Sequence, residues 1–168
     1  ALVGGTNGKG SVVALAGAVL REAGYEVGAM PKPHLVTYRE RITIGGRMLE
    51  PADFGSVVGA VIAEADRLVG EAGPPTEFEV LTAAGFLALA RAGVDLALVE
   101  VGLGGRLDAT NAADLGVAAI ITVAHDHERH LGRTLAAIGS EKAAIIKASD
   151  LAVTGARGRG LEPILARC

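Results

Sequence analysis

Residues 5–11, Gly-Thr-Asn-Gly-Lys-Gly-Ser, constrain the fold more than any other stretch of the sequence. The apolar residues 1–3 precede them and a helical pattern of small residues, 12–23, follows, which predicts a strand, a glycine-rich loop and a helix. Such a loop turns backbone N–H groups inward beside the positive end of the helix. Lys9 can then reach phosphate oxygens, and the Ser11 hydroxyl can ligate Mg²⁺. The stretch therefore predicts a triphosphate site.

This loop is shorter than the strict Walker A consensus. Val3 occupies the place of the early glycine, and Gly10 separates Lys9 from Ser11. A glycine turn beside a solvated lysine is the alternative interpretation, since short motifs of this kind also match by chance. On the first interpretation, the residues that bind the nucleotide are Thr6, Asn7, Gly8, Lys9, Gly10 and Ser11.

The composition excludes several classes of protein. The 168 residues suffice for one domain with a real core, and 50% of them are hydrophobic although only 3% are aromatic. A net charge of −3 without a basic face argues against nucleic acid as a partner. The single cysteine, Cys168, indicates a reducing compartment. With no long apolar run and no signal peptide in the sequence, we expect a cytoplasmic protein without a membrane partner.

The hydrophobic pattern predicts alternating strands and helices. We expect strands at 25–30, 95–101, 117–123 and 151–154, a hairpin with arms 39–44 and 47–49, and helices at 50–68, 76–92 and 134–147. Thr76 and Glu79 have capping-box spacing at the start of the helix 76–92. Strand–helix–strand units build parallel sheets, so we predict one α/β domain over residues 1–168, with a mostly parallel sheet flanked by helices.

Glu100 lies near the end of the clearest strand of the sequence, 95–101. A carboxylate there would lie near the phosphate loop and could face a metal ion, although an exposed strand end is the alternative. The glycine-rich segment that follows is not a dinucleotide-binding fingerprint, because Leu107 stands where the third glycine is required. It contains Arg106 and Asp108, and we interpret it as a wall of the site.

The strand 117–123 brings Asp126 and His127 to the same edge of the sheet. The imidazole of His127 can ligate a metal ion, and Asp126 can orient it or a water molecule. The neighbouring His125 and His130 make a solvated polar loop the alternative. The spacing does not indicate zinc, since no further cysteine or histidine cluster completes four ligands.

Two other segments have two interpretations each. Residues 31–35, Pro-Lys-Pro-His-Leu, must be extended, and they either border the ligand site or simply connect two elements. Glu141 and Lys142 are either an exposed charged pair or the start of a buried run in which the Lys142 amine has a lowered pKa.

Several ordered segments resemble the folylpolyglutamate synthase and dihydrofolate synthase branch of the Mur ligase superfamily. They are residues 5–11, 33–35, 40–42, 78–79 with Thr82, 100–111, 126–127 with 131–132, and 141–143. They keep their order along almost the whole chain, and residues 100–111 are the most specific.

The resemblance implies a Mur ligase central domain that contributes to an ATP-dependent amide ligase. The enzymes of this family phosphorylate the carboxylate of a folate or dihydropteroate with ATP, and the amine of L-glutamate then displaces phosphate from the acyl phosphate. By resemblance the Mg²⁺ ligands are Ser11, Glu100 and His127. The catalytic residues are Lys9, His127 and Lys142, of which Lys142 is carbamylated, and the substrate-binding residues are His34, Glu79, Arg106 and Asp108.

The sequence departs from the family in three respects. Pro31-Lys32 replaces Thr-Ser beside the substrate, and Ala144 replaces a glycine. The family's C-terminal domain has no counterpart here, so we expect a piece truncated at both ends that does not complete ligation alone. The alternatives are a muramyl-peptide or cyanophycin ligase within the superfamily, and a P-loop NTPase or binding module without ligase activity.

Overall fold

A computed structural model describes residues 1–68, 70 and 73–168. The described chain forms two compact units, one of residues Ala1–Ala16 and Leu98–Cys168 and one of residues Gly17–Ala97. Its strands are β1 (Leu2–Gly4), β2 (Val27–Met30), β3 (Thr43–Ile44), β4 (Arg47–Met48), β5 (Leu96–Glu100), β6 (Val117–Ile120) and β7 (Leu151–Thr154). Its α-helices are α1 (Lys9–Glu22), α2 (Pro51–Leu68), α3 (Glu77–Ala92), α4 (Glu128–Leu131), α5 (Leu135–Ala143) and α6 (Glu162–Arg167).

The strands of the first unit are parallel, in the order β5-β1-β6-β7. Val3 of β1 lies opposite Glu100 of β5, and Gly4 lies opposite Ile120 of β6. Apolar side chains on both sides of these strands are fully buried, including Val99 and Ile120. Because the carboxyl ends of parallel strands share one edge, the segments that follow Gly4, Glu100 and Ile120 emerge together.

The second unit consists of an antiparallel hairpin and two long helices. β2 pairs with β3 and β3 with β4, and the hairpin turns at Gly45 and Gly46, whose φ angles are 57° and 78°. Two positive φ angles at a two-residue turn match the twist of the strands, which is why glycine serves at both positions. The core of this unit contains Ile42, Val57, Ala84 and Ala88.

The predicted fold class, α/β with a mostly parallel sheet and flanking helices, is confirmed. The predicted cap of α3 is also confirmed, because Thr76 and Glu79 form the capping box at its N-terminus. No helix in the described part of the chain is long and apolar enough to span a membrane.

Some predicted element boundaries were wrong. The first helix begins at Lys9 rather than at residue 12, and Tyr38–Arg41 is a 3₁₀ helix instead of a strand. The Glu40 carboxylate accepts the backbone N–H groups of residues 35–37, which precede this 3₁₀ helix, at 2.7–2.8 Å. The strand expected at 117–123 ends at Ile120. The helix expected to reach residue 147 ends at Ala143, after which the amides of Ile145 and Ile146 bond three residues back.

Candidate functional site

The glycine-rich loop runs from the end of β1 to the start of α1. Gly5 and Gly8 have φ angles of 146° and 83°, which side-chain-bearing residues rarely adopt. A Cβ atom at Gly5 would also lie 3.1 Å from the backbone nitrogen of Thr122. The loop therefore needs glycine at both positions, and it leads into the positive end of a fourteen-residue helix.

The segment after β6 fixes the conformation of this loop. The Thr6 amide donates to the carbonyl oxygen of Thr122 at 2.9 Å. The Thr6 hydroxyl donates to the Ala124 carbonyl at 3.2 Å and accepts from the Ala124 amide at 3.0 Å. The Thr122 hydroxyl in turn accepts from the amide of Asn7 at 2.9 Å and donates to its carbonyl at 3.0 Å. These hydrogen bonds fix the backbone of the loop at Thr6 and Asn7.

Lys9 lies in the first turn of α1 and folds back over the loop. Its Nζ donates to the carbonyl oxygens of Gly5 at 3.1 Å and Thr6 at 3.3 Å. Ser11 is exposed in the same turn, and Asn7 and Gly8 are exposed in the loop itself. Backbone amides, an ammonium and a hydroxyl thus gather at an accessible helix N-terminus, an arrangement suited to phosphate.

Glu100 is buried at the carboxyl end of β5, with only 5% of its surface exposed. Its backbone lies beside Val3, two residues before the glycine-rich loop begins at Gly5. The alternative of an exposed strand end is therefore wrong. A carboxylate on the strand next to the one that leads into the glycine-rich loop is a candidate ligand of a metal ion at that loop.

Among the residues that the structure describes, His127 is the one non-glycine residue with a positive φ angle, which is 47°. Its amide donates to Asp126 Oδ1 at 2.8 Å, and its Nε2 lies 3.6 Å from Asp126 Oδ2. The imidazole is 58% exposed at the start of α4. A left-handed backbone at a histidine costs about 1 kcal/mol or more, and such strain concentrates at functional sites. The structure thus presents this imidazole to solvent just beyond the segment that holds the loop.

Lys142 is buried in α5, with 4% of its surface exposed. Burial, and after it the nearby ammonium of Lys9, lower the pKa of its amine from 10.5 to about 8, although Asp126 opposes both effects. The interpretation of Lys142 as part of an exposed pair is wrong, and the lowered pKa is confirmed. Lys9, Asp126 and Lys142 therefore share one electrostatic environment.

The segment between β5 and β6 is organised by Asp108. Its carboxylate accepts from the amides of Gly102 and Leu103, both at 2.9 Å, and from the amide and hydroxyl of Thr110 at 3.0 and 2.6 Å. Arg106 forms an ion pair at 2.9 Å with Glu141, the residue that precedes Lys142 in the sequence. The roles of Arg106 and Asp108 in substrate binding stay predictions, since their observed contacts shape the segment.

Sequence reasoning did not identify Lys147, Thr122 or the hydroxyl of Thr6 as organisers of this region. Lys147 Nζ donates to Asn111 Oδ1 at 3.0 Å and to the Ala113 carbonyl at 2.7 Å. All of these contacts join residues more than thirty positions apart, as the separations of 34, 36, 115 and 118 residues show. No local pattern in the sequence signals them.

The other two predicted substrate-binding residues, His34 and Glu79, lie in the second unit. His34 Nδ1 accepts from Arg41 Nε at 2.8 Å, and its ring packs on Tyr38 with the ring centroids 4.3 Å apart. The Glu79 carboxylate accepts from the amide and hydroxyl of Thr76, both at 2.7 Å, as part of the helix cap. Their binding roles stay predictions.

The donor set suits a hard cation better than zinc. Among the described residues, no three or more histidine, cysteine, aspartate or glutamate side chains are grouped so that they could hold a metal ion. The predicted ligands Ser11, Glu100 and His127 combine a hydroxyl, a carboxylate and an imidazole. Mg²⁺ needs few protein ligands because it keeps waters and takes phosphate oxygens, so the two oxygen donors fit it and the imidazole is the unusual member.

Comparisons with known proteins give consistent results. No model of a protein family matches the chain. A dihydrofolate synthase/folylpolyglutamate synthase of Bacillus subtilis is 42% identical over 147 residues, which are 86% of this chain and 34% of that protein. An FPGS–AMPPCP–folate complex superposes with a TM-score of 0.93 at 35% identity, over 99% of this chain and 41% of that one. Escherichia coli FolC in complex with DHPP and ADP gives a TM-score of 0.88 at 37% identity, over 99% and 39%.

Proposed function

Since the chain belongs to the folylpolyglutamate synthase/dihydrofolate synthase family and spans about a third of the length of such a relative, we propose that the whole protein is an ATP-dependent ligase of that kind. It adds L-glutamate to a folate or dihydropteroate in the cytoplasm. The observation that supports this most is the glycine-rich loop, which is fixed against the segment after β6 and lies at the sheet edge where Glu100 is buried.

In this proposal the loop amides and Lys9 hold the β- and γ-phosphates of ATP. Lys9 exchanges its contacts with the carbonyls of Gly5 and Thr6 for phosphate oxygens. The acceptor carboxylate attacks the γ-phosphorus and ADP leaves, after which the glutamate amine attacks the acyl carbon, phosphate leaves and the amine loses a proton. Both reactants of the first step are anionic, so cations must offset their repulsion.

Ser11, Glu100 and His127 would hold Mg²⁺, which supplies charge neutralisation at the transferring phosphoryl group. Lys142 contributes differently. A pKa near 8 leaves part of its amine neutral at physiological pH, and only a neutral amine reacts with CO₂ to form a carbamate. Carbamylation would turn a buried cation beside Lys9 into an anion that helps to place a second Mg²⁺. His34, Glu79, Arg106 and Asp108 are assigned to the substrates.

The decisive assay is glutamate-dependent ADP release by a full-length protein that carries this chain. We expect ADP release with dihydropteroate or tetrahydrofolate as the acceptor. Activity with a nucleotide-linked muramyl peptide alone would remove the folate assignment in favour of another Mur-type ligase. Slow ATP hydrolysis that ignores both folates and glutamate would favour a P-loop NTPase instead.

Nucleotide binding can be tested on the 168-residue chain itself. We expect the variant Lys9→Met to bind AMPPCP and Mg²⁺ about tenfold or more weakly, because a charge-assisted contact to phosphate is lost. Arg157→Met removes a cation from an exposed position of the same unit and serves as the matched control. Calorimetric titration that finds equal affinities for both variants would contradict the assignment of the loop.

A further inference from the structure

The backbone of Asn7 in the glycine-rich loop is oriented by one side chain, that of Thr122. The Thr122 hydroxyl accepts from the Asn7 amide at 2.9 Å and donates to the Asn7 carbonyl oxygen at 3.0 Å. Among the residues that the structure describes, only Thr122 hydrogen-bonds to these two backbone groups. Both polar groups of Asn7 therefore point towards the segment after β6.

The orientation of Asn7 sets the directions of the two neighbouring peptide groups. Both peptide bonds of Asn7 are trans, and in a trans peptide the carbonyl and N–H groups point in opposite directions. The Thr6 carbonyl and the Gly8 N–H therefore both point away from Thr122. On that side the Thr6 carbonyl accepts from Lys9 Nζ at 3.3 Å. The Gly8 N–H, for which no described residue provides an acceptor, is thus directed to the side of the Lys9 ammonium.

Glycine at position 8 makes this orientation reversible. Gly8 has a φ angle of 83°, and glycine adopts negative φ angles as readily as positive ones. Rotation of the peptide between Asn7 and Gly8 by half a turn would bring φ of Gly8 to a negative value and turn the Asn7 carbonyl oxygen towards the Lys9 ammonium. The hydrogen bond that the Thr122 hydroxyl donates to this carbonyl opposes the rotation. The hydrogen bond that it accepts from the Asn7 amide aims the hydroxyl.

We propose that Thr122 is a positioning residue of the phosphate loop, which keeps the Gly8 N–H turned towards the phosphates of ATP in place of the Asn7 carbonyl. An N–H group stabilises a phosphate oxygen, whereas a carbonyl oxygen in the same place repels it and occupies the Lys9 ammonium. This inference rests on the proposed function, since it concerns the nucleotide site of that function.

Calorimetric titration of the 168-residue chain with AMPPCP and Mg²⁺ tests the inference. Thr122→Val keeps the shape of the side chain without the hydroxyl, and we expect it to weaken AMPPCP binding about fivefold or more. Thr122→Ser keeps the hydroxyl and should bind AMPPCP within about twofold of the wild type.

Thr154→Val is the matched control. The Thr154 hydroxyl likewise donates to a carbonyl, that of Ile120 at 2.8 Å, and accepts from an amide, that of Ala156 at 3.0 Å. Neither partner belongs to the glycine-rich loop. This variant should therefore lose stability and keep its affinity for AMPPCP.

NMR of the Gly8 amide separates positioning from a general loss of stability. At saturating AMPPCP the Gly8 amide proton should move downfield in the wild type and in Thr154→Val, because it donates to a phosphate oxygen. The same shift should be much smaller in Thr122→Val. A wild-type affinity or a wild-type Gly8 shift in Thr122→Val, no rescue by Thr122→Ser, or an equal loss of affinity in Thr154→Val would each overturn the inference.

The variant Lys9→Met distinguishes the failure of this inference from the failure of the proposed function. If Lys9→Met weakens AMPPCP binding and Thr122→Val does not, the loop binds phosphate and only the role of Thr122 is refuted. If neither variant weakens binding, or the wild type binds no AMPPCP, the proposed nucleotide site is refuted and the role of Thr122 with it.

Discussion

The hydroxyl of Thr6 and the backbone of Ala124 hydrogen-bond in both directions, with Oγ1 donating to the carbonyl at 3.2 Å and accepting from the amide at 3.0 Å. The two residues are 118 positions apart. The Thr6 hydroxyl thus takes the place of a pair of backbone hydrogen bonds between the glycine-rich loop and the segment that leads to His127. Any change at Thr6 acts on both segments together.

We therefore expect Thr6→Ala to lower the free energy of unfolding by about 1–2 kcal/mol, because it leaves an amide and a carbonyl of a half-buried segment without their partner. AMPPCP affinity should fall as well. Thr6→Ser keeps the hydroxyl and is the control, with most of both properties retained. Chemical denaturation and calorimetric titration measure the two effects, and wild-type values for Thr6→Ala would show that the contact is dispensable.

The amine of Lys142 should titrate with a pKa of about 8, because burial and the charge of Lys9 disfavour its protonated form. Lys9→Met should raise this pKa and Asp126→Asn should lower it, since the two charges act in opposite directions. NMR of labelled lysine side chains measures all three values. An ordinary pKa near 10.5 in the wild type, or shifts of the same sign in the two variants, would contradict the described environment.

The same shift makes stability depend on pH. The unfolded chain keeps the ordinary lysine value of 10.5, so between pH 8 and 10.5 it binds more protons at this site than the folded chain does. The contribution of Lys142 to the free energy of unfolding consequently rises with pH through this window and is lost as the pH falls towards 8. Denaturation of the wild type and of Lys142→Met at pH 7.5 and 9.5 isolates this contribution. If the difference in the free energy of unfolding between the two proteins is the same at both pH values, the pKa shift is refuted.

Gly105 lies where α5 approaches the segment after β5. A Cβ atom there would meet the Glu141 carbonyl oxygen and Ile145 Cγ2, each at 2.8 Å. We expect Gly105→Ala to lower the free energy of unfolding by about 1–3 kcal/mol. Gly55→Ala is the control, since a Cβ at this position within α2 has no atom within 4 Å and should stabilise the helix by about 0.5–1 kcal/mol. Thermal melting should shift in opposite directions for the two variants.

Asp108 supports its segment through both carboxylate oxygens. Asp108→Ala should lower the free energy of unfolding by about 2 kcal/mol, because four hydrogen bonds lose their acceptor. Asp108→Asn keeps one oxygen, which can serve either the Gly102 and Leu103 amides or Thr110, so its effect should be intermediate. Denaturation and hydrogen exchange of those amides check both, and an asparagine variant as unstable as the alanine variant would show that charge, not geometry, matters.

The features predictable from the sequence are those with local signals. The capping box of Thr76 and Glu79 and the hairpin glycines act within a few residues, so their patterns identified α3 and the β3–β4 turn. The burial of Glu100 was one of two interpretations, because a strand pattern does not reveal which element covers its end. The 3₁₀ helix at Tyr38–Arg41 was missed because the alternation of residues 39–44 indicated a strand, whereas Thr37 and Glu40 have the spacing of a helix cap and the Glu40 carboxylate accepts the Thr37 amide.

The contacts that fix the candidate site were not predictable in this way. Thr6 with Ala124, Asn7 with Thr122, and Lys147 with Asn111 depend on the order in which parallel strands assemble. A single sequence gives the strands but not their neighbours. The buried state of Lys142 was left open for the same reason, since Glu141 beside it is partly exposed and the residues after it are apolar.

The pairing of Val3 with Glu100 limits which changes in chain length the site can absorb. Side chains along a strand alternate between its two faces, so one residue inserted into or deleted from β5 would send the carboxylate to the opposite face of the sheet. The same insertion after Glu100 would merely lengthen a loop. A change in the number of residues after Glu100 therefore leaves its carboxylate on the same face of the sheet. A change of one residue within β5 does not.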